Sequence, residues 1–340
     1  MRDNGMSEAL RGLGVVRVRR GTSFVRLYLN NGDSVKVTIE KYHELAGMET
    51  PVSFTPTRPS DIVGVVRKGK NNLRVRLSNG ATALLSWDEY RSVMGSKFVS
   101  TFGVELEFTI TSRMLEKFIL LCRERGVDVK NYSTRYNTKG INKWLIAYDG
   151  SLRAEGSRRG LELKSPILHL DSPQDFADLT TVVTTLAKCR AVVNSTCGFH
   201  VHFGGFSHDL DIDTLLRMRS SFYNDETFFD SVVSRSRRGN LNRYCQSVRP
   251  ELAYTLRYQK LNVSCYKTIK TVEFRQHQGT TDITKVCNWI HLCRSFLERG
   301  FKSNWNCPTD GFASWLASLE AESDVDFTEF FTLRREELSA

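Results

Sequence analysis

Five short runs beyond residue 100 share one device, and it constrains the fold more than anything else in this sequence. Polar or charged residues stand at i and i+2 with apolar residues between and around them. Glu105 and Glu107 alternate with Val104, Leu106 and Phe108; Glu162 and Lys164 with Leu161 and Leu163; His200 and His202 with Phe199, Val201 and Phe203. Glu273, Arg275 and His277 alternate with Val272 and Phe274, and Asp149 and Ser151 close a shorter run after Trp144–Tyr148. A β-strand turns successive side chains to opposite faces, so each polar set shares one face and each apolar set the other. One amphipathic strand is ordinary. Five in one region predict a sheet with helices on its apolar face and a charged, concave opposite face.

The strand-like runs span 101–110, 144–148, 160–164, 198–204 and 270–277. Helical segments intervene: 173–193 opens on Ser172-Pro173, a cap followed by proline at the first helical position, and another runs from about Asp282 to Arg299 and stops at Gly300. A terminal amphipathic helix is expected over 324–338. Strands mixed with helices, without regular βαβ alternation, predict an α+β fold with an antiparallel sheet.

The first hundred residues repeat themselves. Gly14-Val-Val-Arg17 returns as Gly64-Val-Val-Arg67, and Val25-x-Leu27-x-Leu29-x-Asn31-Gly32 as Leu73-x-Val75-x-Leu77-x-Asn79-Gly80, the latter at an offset of 48. Glu40-x-Tyr42 against Asp88-x-Tyr90, and Gly47 against Gly95, continue the echo. Each copy, about 10–47 and 60–95, reads as alternating strands around an Asn-Gly hairpin turn, then a short helical segment ending at glycine. The expectation is a tandem small-β module over 1–95, SH3-like or similar, with Pro51–Pro59 as the linker and a catalytic domain over 100–340. Residues 1–100 hold 16 Lys and Arg against 9 Asp and Glu, which favours an anionic or protein partner for this module.

Composition excludes some classes. Apolar residues make up 40% of the 340, enough for a packed core. The N-terminal residues lack the apolar stretch of a signal peptide, and no run reaches the roughly 18 apolar residues of a membrane helix. A soluble, cytoplasmic protein is expected. The eight cysteines form no C-x-x-C pair, so buried free thiols are expected rather than disulfides or zinc ligands.

Clustered carboxylates repel one another and need a compensating cation. Oxygen-rich ligation with an imidazole suits Mg²⁺ or Mn²⁺ better than Zn²⁺. Divalent ions beside an arginine are what phosphoryl transfer from ATP requires. No G-x-x-x-x-G-K-[ST] occurs, so an ATP site here is not a P-loop.

The ordered motifs Phe102-Gly-Val-Glu-Leu-Glu107, Asp149-Gly-Ser151, Gly160-Leu-Glu-Leu-Lys-Ser-Pro166, Cys197-Gly-Phe-His-Val-His-Phe-Gly204 and Thr271-Val-Glu-Phe-Arg-Gln-His-Gln-Gly279 resemble the amidoligase family. That family lies within the glutamine synthetase and glutamate–cysteine ligase superfamily, and the match spans roughly 100–300. The resemblance implies a glutamine-synthetase-like half-barrel sheet with two divalent-metal sites and ATP at one end. It implies that Glu107, Glu162 and Asp149 hold one metal and that Glu105, His200 and Glu273 hold the second. Arg275 would contact ATP phosphate, with Glu273 and Glu162 also catalytic. His202, Arg237, Arg238 and Arg257 are further candidates for nucleotide or substrate. The implied activity is ATP-dependent joining of a carboxylate to an amine through an acyl phosphate. Two other readings stand beside it: a metal-dependent hydrolase or nuclease, and a binding protein that uses its N-terminal module and carries an inactive ligase fold.

Overall fold

A computed structural model of the chain describes residues 8–20, 25–38, 41–42, 45–46, 62–68, 72–77, 80–86, 89, 98–132, 142–249, 257–307, 310–323 and 325–339. The chain divides into two compact units, Met1–Ser96 and Lys97–Ala340.

In the first unit, helix α1 (Glu8–Gly12) precedes strands β1 (Val15–Arg20), β2 (Val25–Leu29) and β3 (Ser34–Val37), which pair antiparallel in that order. Strands β4 (Ile62–Lys68), β5 (Asn72–Leu77) and β6 (Thr82–Ser86) form a second antiparallel sheet of the same order. The repeat in sequence is a repeat in structure. Leu29 N–H donates to Asp33 at 2.8 Å around Gly32, and Leu77 N–H donates to Ala81 at 2.9 Å around Gly80, 48 residues on. Both glycines sit at positive φ, +91° and +84°, which an L side chain rarely adopts. Each sheet has its own small core: Val15, Val25 and Leu27 with Leu10, Tyr42 and Ala46 in the first, and Val75, Leu77 and Leu85 in the second. The proline-rich stretch 51–59, and Gly47 and Gly95, lie outside the described residues.

The second unit is built on one mixed sheet of eight strands. Its path runs β13 (Leu261–Asn262), β14 (Val272–Gln278), β12 (Gly198–Phe206), β7 (Val99–Thr111), β10 (Arg158–Lys164), β9 (Trp144–Tyr148) and β8 (Val129–Tyr132), with β11 (Leu168–His169) also paired to β7. All pairs are antiparallel except β8 with β9, which corrects the expectation of a purely antiparallel sheet. Helices α2 (Ser112–Glu124), α3 (Pro173–Lys188), α4 (Ile212–Ser231), α5 (Tyr266–Ile269), α6 (Ile283–Lys302), α7 (Phe312–Glu320) and α8 (Thr328–Glu337) complete the unit.

Side-chain caps start the longer helices. Thr111, Ser172, Asp211 and Asp282 accept from the backbone N–H groups of Met114, Asp175, Thr214 and Thr284, satisfying donors that a helix start leaves free. The core is where the apolar alternation said it would be. Val104, Leu106, Phe108, Phe199, Val201, Phe203 and Phe274 join Leu179, Val183, Phe222, Trp289 and Phe296 from the helices in one buried cluster. The α6 helix does not stop at Gly300. It continues to Lys302, because the glycine serves packing rather than termination: a Cβ there would collide with the Trp305 ring. Among the described residues no helix is long and apolar enough to cross a membrane, and all eight cysteines are free thiols.

Candidate active site

Strand register brings the polar residues into rows. Glu162 of β10 stands opposite Glu107 of β7. One step along, Lys164, Glu105 and His200 face each other across β10, β7 and β12. In the next row His202 lies opposite Glu273, and Glu273 opposite Asn262. Asp149 follows β9, and its carboxylate accepts the Ser151 N–H at 2.8 Å, which fixes the tight turn. Three groups of ligand atoms each fall within 4.8 Å: Glu107 with Asp149 and Glu162, Glu105 with Glu162 and His200, and His202 with Cys265 and Glu273.

The face carries its own counter-cation. Lys164 Nζ bridges Glu162 at 2.8 Å and Glu105 at 3.1 Å. Burial, together with the neighbouring charge of Glu105, pushes the Glu162 carboxyl up to about 8. Glu105 goes the other way: burial opposes its ionisation, but hydrogen bonds from His200 and His202 hold it well below the usual carboxylate range. His202 is raised well above an ordinary imidazole, since Cys265, Glu105 and Glu273 outweigh its burial. Two nearby carboxylates with opposed shifts are the behaviour of a preorganised polar site.

Glu273 is held by its neighbours: Arg275 pairs with one carboxylate oxygen and Asn262 donates to the other at 2.6 Å. The carboxylate stays 3.6 Å from Nδ1 of His200. A cavity of about 320 Å³ opens over the acids. Arg237, Arg257 and Arg275 line it with Tyr244 and Tyr258. These two rings meet edge to face at 5.4 Å, and Arg275 lies over Tyr258 at 5.9 Å. A second cavity of about 480 Å³ adjoins at Glu105 and Lys164, lined by His202, Phe102, Ile167, Ile269 and Thr271 among others.

Glu105, Glu107, Asp149, Glu162, His200, Arg237, Arg257 and Arg275 thus line one cavity, with Glu273 paired to Arg275 and His202 lining the adjoining one. Arg238 is placed elsewhere. Its guanidinium donates to the Val233 and Leu338 carbonyls, so its charge supports the fold and not the cavity, against expectation. His277 is a second correction. Phe199 pairs with His277 but Val201 with Phe274, so β14 carries one extra residue at this point. That bulge reverses the face. The His277 imidazole sits in the core, edge-on to Phe199 and 5.0 Å from Trp289.

Gly198 is needed for close approach. A Cβ there would lie 2.7 Å from Nε2 of His200 and 3.2 Å from both Glu107 and Arg237, and its N–H donates to Glu107 at 2.6 Å. The sequence showed Lys164 on the acid face but gave no sign that it bridges two glutamates. Tyr244 and Tyr258 stand in turns, so strand alternation gives no guide to where their rings point; only the motifs Tyr244-Cys245 and Arg257-Tyr-x-x-Leu-Asn262, similar to those of the family, mark them in the sequence.

The donor set fits divalent cations. In the two clusters that share Glu162, carboxylate oxygens predominate, one imidazole joins them, and an ammonium already occupies the gap between two of the acids. Fold and site together define an α+β protein with a preorganised acid-and-imidazole face beside an arginine-lined cavity. The family model described as "Putative amidoligase enzyme" matches residues 99–257 and 251–297, more than half of the chain and every strand carrying these residues. The chain belongs to this family, whose name denotes an enzyme of the ligase kind. No curated protein matches it.

Proposed function

We propose that the protein is an ATP-dependent carboxylate–amine ligase working through an acyl phosphate. One observation carries the reading: Glu162 is common to two adjacent ligand clusters, and three arginines line the same cavity. Glu107, Asp149 and Glu162 would hold one Mg²⁺ or Mn²⁺, and Glu105 and His200, with Glu162 or Glu273, a second. Such ions neutralise phosphate charge and polarise its oxygens. A half-barrel curvature of the sheet, with nucleotide entering at the arginine-lined end, belongs to the same reading.

A carboxylate is a poor acyl donor because its oxygen does not leave at neutral pH. The γ-phosphoryl group moves to a carboxylate oxygen and ADP departs. The amine nitrogen then attacks the acyl carbon, the C–O bond breaks, and phosphate leaves with its electron pair and takes up the proton that the nitrogen sheds. Arg275, Arg237 and Arg257 orient the phosphoryl oxygens and offset their charge, as planar guanidinium forks do well. Arg237 and Arg275 are buried and already in place, so they need little reorganisation, while Arg257 is exposed at the cavity.

The test is isotopic. With ¹⁸O-labelled carboxylate in a matrix of carboxylates and amines, one label should appear in released phosphate, alongside ADP. Label in AMP means activation by adenylation and contradicts the mechanism. Turnover that needs the metal but not ATP favours a hydrolase.

A further inference from the structure

The strands of the first unit carry charge of one sign. Its six strands hold nine Arg and Lys and no Asp or Glu. Surfaces that are merely solvated mix both signs; nine charges drawn at random from the chain's 48 bases and 38 acids would all be basic about one time in 270. Among the described residues, Glu8 lies in the short helix, and Asp33 and Glu89 lie outside the strands.

Register puts most of these bases on one face of each sheet; Arg20 and Lys68 are the exceptions, standing opposite Val25 and Leu73. Val18 and Leu27 pair toward the core, as do Val25 and Val37, while Arg17 with Tyr28 and Arg19 with Arg26 face outward. Lys36 stands opposite Arg26 on the third strand, so Arg19, Arg26 and Lys36 form a row of three cations across the sheet. Neighbouring strands lie about 4.8 Å apart. Arg17, Arg19 and Lys36 are exposed, and Arg17 lies over the Tyr28 ring at 5.5 Å.

The second sheet keeps the same device. At the offset of 48, the cross-strand pair Arg19–Arg26 becomes Arg67–Arg74. Arg76 takes the position of Tyr28, and Arg74 and Arg76 are exposed. Like charges directly opposite on a sheet destabilise it. Register places two arginines opposite each other in both copies.

A bound polyanion removes the cost. Of the nine bases seven are arginine, whose planar fork matches phosphate in a bidentate way. Among the described residues the faces offer rows of cations, with one aromatic ring, Tyr28, and one exposed leucine, Leu84. That suits a backbone with one charge per monomer better than a protein partner, whose recognition needs buried aromatic or aliphatic anchors. We infer that the arginine-paired faces of the two N-terminal sheets bind the phosphate backbone of a nucleic-acid strand, without reading its sequence.

The experiment uses the full chain and fluorescence anisotropy with labelled single-stranded RNA, duplex DNA and polyglutamate. Engagement of Arg19, Arg26, Arg74 and Arg76 by four phosphates predicts an affinity loss of roughly 50- to 150-fold between 50 and 200 mM salt, the lower figure for single strands. Arg19→Gln with Arg26→Gln should reduce the slope of log K against log salt by about 1.4 to 1.8. It should leave the melting temperature unchanged or higher, because a repulsion is removed. Arg74→Gln with Arg76→Gln should weaken binding likewise through the other sheet. No nucleic-acid binding at 50 mM salt overturns the inference. So does polyglutamate binding as tight as nucleic acid, or an unchanged affinity and slope in both folded double variants.

Discussion

Replacing His277 by glutamine should make the second unit more resistant to acid. Burial and the positive charges of Arg334, Arg237 and Lys285 push this imidazole down to about 3, against 6.5 for an ordinary histidine. A histidine whose folded pKa is depressed contributes stability that is present above pH 6.5 and lost as pH falls toward 3, because only the unfolded chain takes the proton in that window. At pH 5 the unfolded state has gained about 1.5 pH units of protonation free energy, or about 2 kcal/mol at 1.36 kcal/mol per unit. The loss approaches about 5 kcal/mol by pH 3. Urea unfolding of wild type and His277→Gln, followed by tryptophan fluorescence at pH 7.5 and 5.0, isolates this contribution. The variant is expected to lose some stability at both pH values, since the imidazole packs on Trp289 and Phe199. Its drop between the two pH values should be smaller than that of the wild type by about 2 kcal/mol. Equal drops would refute the placement of His277 in the core and, with it, the bulge that puts it there.

Three further substitutions test the account. Glu162→Gln should abolish ligase turnover and Mn²⁺ binding while leaving the metal-free melting temperature unchanged or raised, since burial and the neighbouring Glu105 already disfavour the charged carboxylate that the substitution removes; calorimetry with and without Mn²⁺ reads both. Gly198→Ala places a methyl group 2.7 Å from His200 Nε2, so it should cost about 1–3 kcal/mol by overpacking and lower turnover more than stability, measured by melting and by ADP release. Gly300→Ala gains about 1 kcal/mol of helix propensity but collides with the buried Trp305 ring; a net loss of stability is expected, and a gain would show that α6 does not pack as described.

Most of the acid-bearing sheet was legible because strand alternation has a period of two. Once Glu105, Glu107, Glu162, His200, His202 and Glu273 were read as strand residues, their shared face followed. Alternation fails where a strand is irregular: the extra residue in β14 turned His277 away from Arg275, and no residue in Val272–Gln278 announces a bulge. Glycine misled at position 300, since a helix stop and a close ring contact look alike in sequence. Arg238 could not be distinguished from Arg237 by pattern. They are adjacent, yet Arg237 is buried against the Cys197 carbonyl beside Glu107 and Arg238 reaches the C-terminal helix. The parallel pairing of β8 with β9 depends on contacts between strands, which neither local sequence records.

The central claim is that the acid face holds divalent cations for phosphoryl transfer beside the arginines. Crystals soaked with Mn²⁺ and a non-hydrolysable ATP analogue test it most directly through anomalous difference density. The account predicts two Mn²⁺ peaks per chain: one touching Glu107, Asp149 and Glu162, the other touching Glu105 and His200. Phosphate oxygens should lie within hydrogen-bond reach of Arg275. An acid face without Mn²⁺, with Lys164 still bridging Glu105 and Glu162 in the presence of the nucleotide, would contradict it.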